Sequence, residues 1–316
     1  MNACAFSISH TIRASQFLIR VGLVALAGMG VVGAQILTGR VAGTPITEQS
    51  AIVSSASYPD TYWVLNDSGD DARLFAIYEN GEMILPPFLK KYYDDSTLVF
   101  QGFPVFGATN QDWETIARLK DTLVIGDTGN NGNARRDQAL YFVLEPNPLA
   151  VEGTHILSRV PIAYPDQKAW PPDEWDFDCE AIFTFKGKVY FLTKQRADQT
   201  INRPKPATRL YRLDSRFTTR INTLTLVGGQ DNLGGWVTGA DVSPDESRLA
   251  VLVHHPLNSG IWIFNAPQHG DNFLRKSGQF FPLGKRGQCE GIGWKTNNTL
   301  IFTNEDQDIF EIQLTK

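Results

Sequence analysis

One short pattern recurs five times along the 316-residue chain, and it leaves few folds open. It consists of an aliphatic residue, an aromatic, any residue and an apolar one. The copies are Leu74-Phe75-Ala76-Ile77, Leu140-Tyr141-Phe142-Val143, Leu210-Tyr211-Arg212-Leu213, Ile261-Trp262-Ile263-Phe264 and Ile309-Phe310-Glu311-Ile312. An apolar run precedes each copy: YWVLND (62–67), TLVIGD (122–127), KVYFLT (188–193), RLAVLV (248–253) and TLIFTN (299–304). Ahead of each run stands an acidic landmark followed by small and aliphatic residues. The landmarks are Glu48, Glu114, Glu180, Asp241 and Glu290, at intervals of 66, 66, 61 and 49 residues. Period-two alternation rich in Val, Ile, Leu, Phe and Tyr marks these runs as strands, and no helical stripe follows residue 40.

Each interval holds three evident strands and a more variable fourth, such as residues 158–164 or 221–227. A repeated four-stranded antiparallel unit of this size is the signature of a β-propeller blade. A lone unit cannot bury both apolar faces; stacking units around an axis buries them and leaves few exposed edges. The expected fold is therefore all-β, a β-propeller of five four-stranded antiparallel blades. A sixth blade requires a divergent unit within residues 82–111 or 144–176. The last repeat reaches Lys316 with three strands, so residues 37–47 are expected to supply the missing outer strand and close the ring.

Residues 1–47 contain no Asp or Glu, and Arg13 and Arg20 precede the apolar run Val21–Leu37. That run is short of the roughly 20 strongly apolar residues of a spanning helix. The positive flank, apolar stretch and Val32-Gly33-Ala34 read as a secretory signal cleaved after Ala34, with an uncleaved membrane anchor as the alternative. The division is a signal at 1–34 and one propeller domain at 35–316, periplasmic or secreted and monomeric. Net charge is −5, and loss of the two arginines gives 27 − 34 = −7. An acidic chain excludes a generally basic nucleic-acid surface. Three cysteines exclude a disulfide scaffold or a multi-cysteine zinc ribbon.

In an up-and-down blade the first strand lines the central channel, and its start shares a face with the end of the second strand. The landmarks should therefore converge at one mouth with Asn66, Asp67, Asp127 and Asn304. Asp112 and Asp178, two residues ahead of a landmark, share its face on an extended strand. Like charges about 7 Å apart repel by roughly 2.4 kcal/mol at an effective dielectric of about 20. Protonation, basic side chains or a bound cation must relieve this. Hard oxygen donors without clustered His or Cys favour Ca²⁺, which makes Glu48, Asn66, Glu114, Glu180, Asp241, Glu290 and Asn304 the candidate metal ligands. The competing reading has the acids hydrogen-bonding the neighbouring blade's backbone, and the Asn and Asp residues holding their own turns.

Asp127 and the strand-end pair His254-His255 are the candidate catalytic bases at this mouth. Arg73, Arg135, Arg136, Lys194 and Arg196 follow second strands and either rim the mouth or stand solvated. Cys179 and Cys289 each precede a landmark Glu, so their thiols should pack between blades. There is no nucleophile elbow, zinc-protease helix motif or Walker loop.

The stretches NDSGDDARLFAI, DWETIARLKDTLVIGDTGNNGNARR, PDQKAWPPDEWDFDCEAIF, TGADVSPD and CEGI resemble a group of exported bacterial β-propeller proteins across residues 48–305. More distantly, the strand entries are similar to those of calcium-dependent gluconolactonase, paraoxonase and phytase-associated esterase-like propellers. That resemblance implies a central Ca²⁺ polarising an ester, lactone or phosphoester, with Glu48, Glu114, Glu180, Glu290, Asn66 and Asn304 at the matching positions. The chain departs from those six-bladed proteins in its five repeats and in Thr193 and Val253 at two second-strand ends. The functional expectation is a calcium-dependent hydrolase binding a small ester-type or anionic ligand. The alternative is a non-catalytic envelope propeller that binds protein or glycan.

Overall fold

A computed structural model of the chain describes residues 32–41, 45–94, 97–257 and 259–314. Among them, the main strands form five antiparallel four-stranded units. Unit I comprises Gln49–Ser54, Tyr62–Asn66, Arg73–Ile77 and Phe103–Phe106. Unit II comprises Trp113–Leu119, Thr122–Asp127, Ala139–Leu144 and Thr154–Ala163. Unit III comprises Trp175–Phe185, Lys188–Arg196, Thr208–Leu213 and Thr225–Gln230. Unit IV comprises Trp236–Val242, Arg248–His254, Ser259–Asn265 and Gln279–Gly284. Unit V comprises Cys289–Thr296, Thr299–Asn304, Asp308–Leu314 and the N-terminal strand Val32–Arg40.

The first strands of the units pack against one another in chain order, and that of unit V returns to unit I, so the array closes on itself as a β-propeller. The apolar cores lie between units. Trp63 and Leu74 of unit I pack with Ile116 and Tyr141 of unit II, and similar cores join II to III, III to IV and IV to V. Ile52 and Val64 meet Ile301 and Ile309 across the closure. Residues 82–111 and 144–176 supply the outer strands of units I and II, together with the short 3-10 turn Pro87–Tyr92. At the rim these outer strands pair in parallel, Val105 with Thr154 and Phe106 with His155, which removes two exposed edges.

Closure uses the N-terminal strand, but earlier in sequence than the expected 37–47. Gln35 faces Ile312 and Arg40 faces Asp308, and the Val41 N–H still donates to the Gln307 carbonyl at 3.0 Å. The expected cleavage point after Ala34 falls inside this strand, and the pairs from Gln35 to Arg40 lie on its C-terminal side. The rest of the expected signal segment lies outside the described residues. Among the described residues, no helix is long and apolar enough to cross a membrane.

The acidic-small-aliphatic motif now has a structural meaning. Each first strand carries a β-bulge near its start, at Ser50, Glu114, Cys179-Glu180, Thr238 and Glu290. A bulge re-aims the side chain it carries. The next residue is small (Ala51, Thr115, Ala181, Gly239 or Gly291) because neighbouring first strands approach closely there. A Cβ on Gly291 would lie 2.9 Å from the Ile52 nitrogen, and one on Gly239 would lie 2.9 Å from the Glu290 carbonyl oxygen. Ile52, Ile116, Ile182, Ala240 and Ile292 then enter the cores between units. Cys179 and Cys289 are buried as free thiols in the II–III and IV–V cores.

Candidate functional site

At the end of the ring where the first strands begin, a cavity of about 210 Å³ opens on the axis. Glu114, Glu180 and Glu290 reach it from their bulges. Glu48 lies at its exposed rim, two residues ahead of the bulged Ser50, and Asp67 and Glu305 reach it from the ends of second strands. Buried Lys194 and Arg196 and the indole of Trp236 complete the wall. This brings together Glu48, Glu114, Glu180 and Glu290 of the expected ligand set.

Asp241 is not with them. The unit IV residue in register with the bulged glutamates is Thr238, whose hydroxyl donates to the Cys289 carbonyl at 2.7 Å. Asp241 stands three residues further along, about 10 Å at a strand's rise. It lines a different cavity at the opposite end of the ring. There it accepts hydrogen bonds from the Trp294 backbone N–H (2.8 Å) and the Val242 backbone N–H (2.9 Å). Asp241-Val242 repeats the acidic-aliphatic pair out of register, which is why its sequence position misleads.

Asn66 and Asn304 hold loops. The Asn66 amide donates to the Pro45 carbonyl at 3.0 Å and accepts from Thr47 N–H at 3.2 Å. The Asn304 amide donates to the Arg286 carbonyl at 2.7 Å and accepts from Asp308 N–H at 2.9 Å. Asp127 is buried behind the cavity, taking Asp112 N–H (3.1 Å) and the Arg135 guanidinium (2.8 Å). His254 is buried beside the Ser259 hydroxyl at 3.3 Å. Burial, with the charge of Lys194, pushes its pKa down to about 4. His255 accepts the Leu257 N–H within its own turn. None of these five residues lines the cavity.

The tightest gathering of donors is one the seven-residue ligand set contains only through Glu114. Carboxylate oxygens of Asp67, Asp112 and Glu114 all lie within 4.8 Å of one another. At that separation two full charges repel by about 3.5 kcal/mol at an effective dielectric of about 20. Burial, then the charges of Asp178 and Asp67, push the Asp112 carboxyl up to about 7. Burial and the charge of Glu180 hold Glu114 well above the ordinary carboxylate range. Glu290, buried on the same wall, is pushed up to about 7 against the pull of Lys194. Gly129 makes this corner possible, because a Cβ there would lie 2.4 Å from Asp112 Cγ and 2.6 Å from Glu114 Oε1. Gly129→Ala should displace both carboxylates, cost about 1–3 kcal/mol, and lower affinity for a cation at this corner, as read by calcium titration of the folded variant.

The positive side of the balance is internal. Lys194 Nζ is paired with Glu180 Oε1, and Arg196 with Asp178 and Asn131, all four charged partners being buried. Burial opposes the charge of Lys194, but Glu180, Glu290, Asp178 and Glu114 outweigh it and raise its pKa. Glu180 Oε2 is buried with no hydrogen-bond partner among the described residues. The sequence signal for this pairing is the alternation of Lys194 and Arg196 on the strand hydrogen-bonded to the one bearing Asp178 and Glu180. By contrast, Arg73 is tied to Asp70 (2.5 Å) in its own loop and to the Gln101 carbonyl beside the outer strand, and Arg136 stacks on Trp170.

Neither a protein-family model nor a curated protein matches the sequence. Solved structures of similar shape are propellers of low sequence identity. PQQ-bound aldose sugar dehydrogenase from Streptomyces coelicolor is 9% identical over 89% of this chain and 98% of that one, with a TM-score of 0.46. The Cps50 (Swd1) β-propeller domain of Myceliophteria thermophila is 9% identical over 91% and 100%, with a TM-score of 0.42. A luciferin-regenerating enzyme is 11% identical over 84% and 77%, with a TM-score of 0.38. The propeller assignment rests on this chain's own sheet order and inter-unit cores.

Proposed function

We propose that the protein is an exported β-propeller that binds Ca²⁺ at the acidic mouth and, through it, a small ester, lactone or phosphoester that it hydrolyses. The observation that carries this reading is the Asp67–Asp112–Glu114 corner, with oxygens within 4.8 Å, facing a cavity whose Glu180 Oε2 has no partner. Oxygen-only donors of this kind suit a hard divalent cation, and no His or Cys joins them. Bound there, the ion would supply Lewis-acid polarisation of a carbonyl or phosphoryl oxygen. Glu290, on the same wall with a pKa near 7, is the residue suited to take a proton from an attacking water. Lys194, held charged by its carboxylate neighbours, favours negative charge developing on the substrate.

Isothermal titration of chelator-treated protein with Ca²⁺ tests the first half. Saturable binding is expected, weakened roughly tenfold or more in Glu114→Gln. Absence of both binding heat and a calcium-dependent melting temperature refutes it. A panel of lactone, aryl-ester and phosphoester substrates tests the second half, with turnover expected to need Ca²⁺ and to fall in Glu290→Gln. The withdrawal of Asp127 and His254 from the cavity favours a second reading in which the ion stays and turnover goes. Calcium binding without hydrolysis of any panel member selects that non-catalytic propeller.

A further inference from the structure

The opposite end of the ring mixes both charges. Where the first strands end, a cavity of about 290 Å³ is walled by Ser54, Arg118, Thr184, Asp241 and Trp294, with Lys120 at its lip. Most of its polar atoms are satisfied within the protein. Ser54 Oγ donates to the Trp294 carbonyl at 2.9 Å, Thr184 Oγ1 to the Arg118 carbonyl at 2.6 Å, and Trp294 Nε1 to the Asp241 carbonyl at 3.0 Å. Two groups stand apart. Neither the Arg118 guanidinium nor the Lys120 ammonium forms a hydrogen bond or ion pair among the described residues.

Arg118 and Asp241 face one cavity without touching. The positive charge of Arg118 is near enough to ease ionisation of Asp241, but the two form no ion pair. Asp241 cannot swing to meet it, because its two oxygens are fixed by the Trp294 and Val242 N–H groups. Lys120 is set by its left-handed backbone (φ 58°) in the turn that follows Arg118. Glu246, also on the wall, accepts the Lys186 backbone N–H at 3.2 Å. A pocket that sets the fixed Asp241 carboxylate beside two cations unpaired among the described residues is complementary to a ligand of mixed character.

We propose that this far mouth binds small carboxylates that carry a hydrogen-bond donor, of the 2-hydroxy-acid type. The planar Arg118 fork would take the ligand carboxylate through two parallel N–H bonds, which a lysine could not do. Lys120 adds a second positive charge. Each Asp241 oxygen keeps a lone pair for the ligand hydroxyl. The site is independent of the acidic mouth and of any ion bound there.

The test is titration of the full chain with lactate and with propionate, in chelator, followed by calorimetry or ligand-observed NMR. Lactate should bind saturably and propionate, which lacks the hydroxyl, more weakly. Arg118→Gln should weaken lactate roughly tenfold or more, with a smaller loss for Lys120→Asn, a residue that tolerates the left-handed backbone. Glu114→Gln should leave lactate affinity unchanged, so failure of the calcium reading does not count against this one. No saturable lactate binding, equal affinity for propionate, or full affinity in Arg118→Gln each overturns the proposal.

Discussion

Chelator-treated protein is expected to lose stability as pH rises from about 4 to about 7, and saturating Ca²⁺ to restore it at the upper end. Asp112 titrates from 3.8 up to about 7, and Glu290 from 4.5 up to about 7. Between those values the folded protein keeps protons that the unfolded chain has released, so unfolding becomes easier as pH increases. Halved for mutual coupling and solvent screening, these two shifts amount to about 4 kcal/mol at 1.36 kcal/mol per unit. His254 works the other way. Its pKa falls from 6.5 to about 4, so its contribution grows with pH over that window, by about 2 kcal/mol on the same halved scale. The carboxyls prevail by about 2 kcal/mol, and Asp241, pushed up to about 6 mainly by burial, adds to their side. At pH 8 a hundredfold excess of Ca²⁺ over its dissociation constant should add about 2.7 kcal/mol. At pH 5, with Asp112 protonated and Glu114 held well above the ordinary carboxylate range, it should add little. Calorimetric melting with chelator or Ca²⁺ at both pH values reads this at about 2 °C per kcal/mol. A chelated protein that melts higher at pH 8 than at pH 5 contradicts the account.

Lys194→Met should be the most damaging single substitution at the acidic mouth, at about 3–5 kcal/mol. The ammonium is paired with Glu180 where both side chains are less than a tenth exposed. Its removal takes away the charge that offsets the burial of Glu180, whose carboxyl burial already holds well above the ordinary range, so Glu180 must stay ionised uncompensated or take up a proton, with Oε2 already unpartnered. Methionine keeps most of the apolar stem and removes the ammonium with its cation–π contact to Trp236, so the loss reports charge more than packing. Adding Glu180→Gln should recover most of the loss, because the pair is then replaced by neutral groups. Ca²⁺ should stabilise Lys194→Met more than the parent protein, since the mouth has lost its own internal cation. Urea unfolding of the single and double variants, with and without Ca²⁺, measures all three effects. A near-neutral Lys194→Met, or a double variant no more stable than the single, shows that the mouth is not under electrostatic load.

Glu114, Glu180 and Glu290 reach one mouth because each sits immediately before a small residue and an isoleucine, the order that a bulge and a close strand–strand approach require. Asp241 breaks that order, since the matching residues of unit IV are Thr238-Gly239-Ala240. Asn66 and Asn304 stand at the right strand ends, yet their amides are consumed by the loops they close. Asp67 and Asp112 join Glu114 only because Gly129 leaves room above its Cα. The lysine and arginine beneath the mouth are legible only once Asp178 is known to face Lys194 across a ladder.

Local chemistry alone settled the strands and the ring. Period-two alternation dictates extended backbone, and repeated units apolar on both faces must stack and close, with an N-terminal strand completing the last one. Which acidic side chains share a mouth was decided by tertiary structure. Side-chain direction reverses with each residue and shifts again at every bulge, and that register is fixed by neighbouring units some fifty or more residues away in the chain.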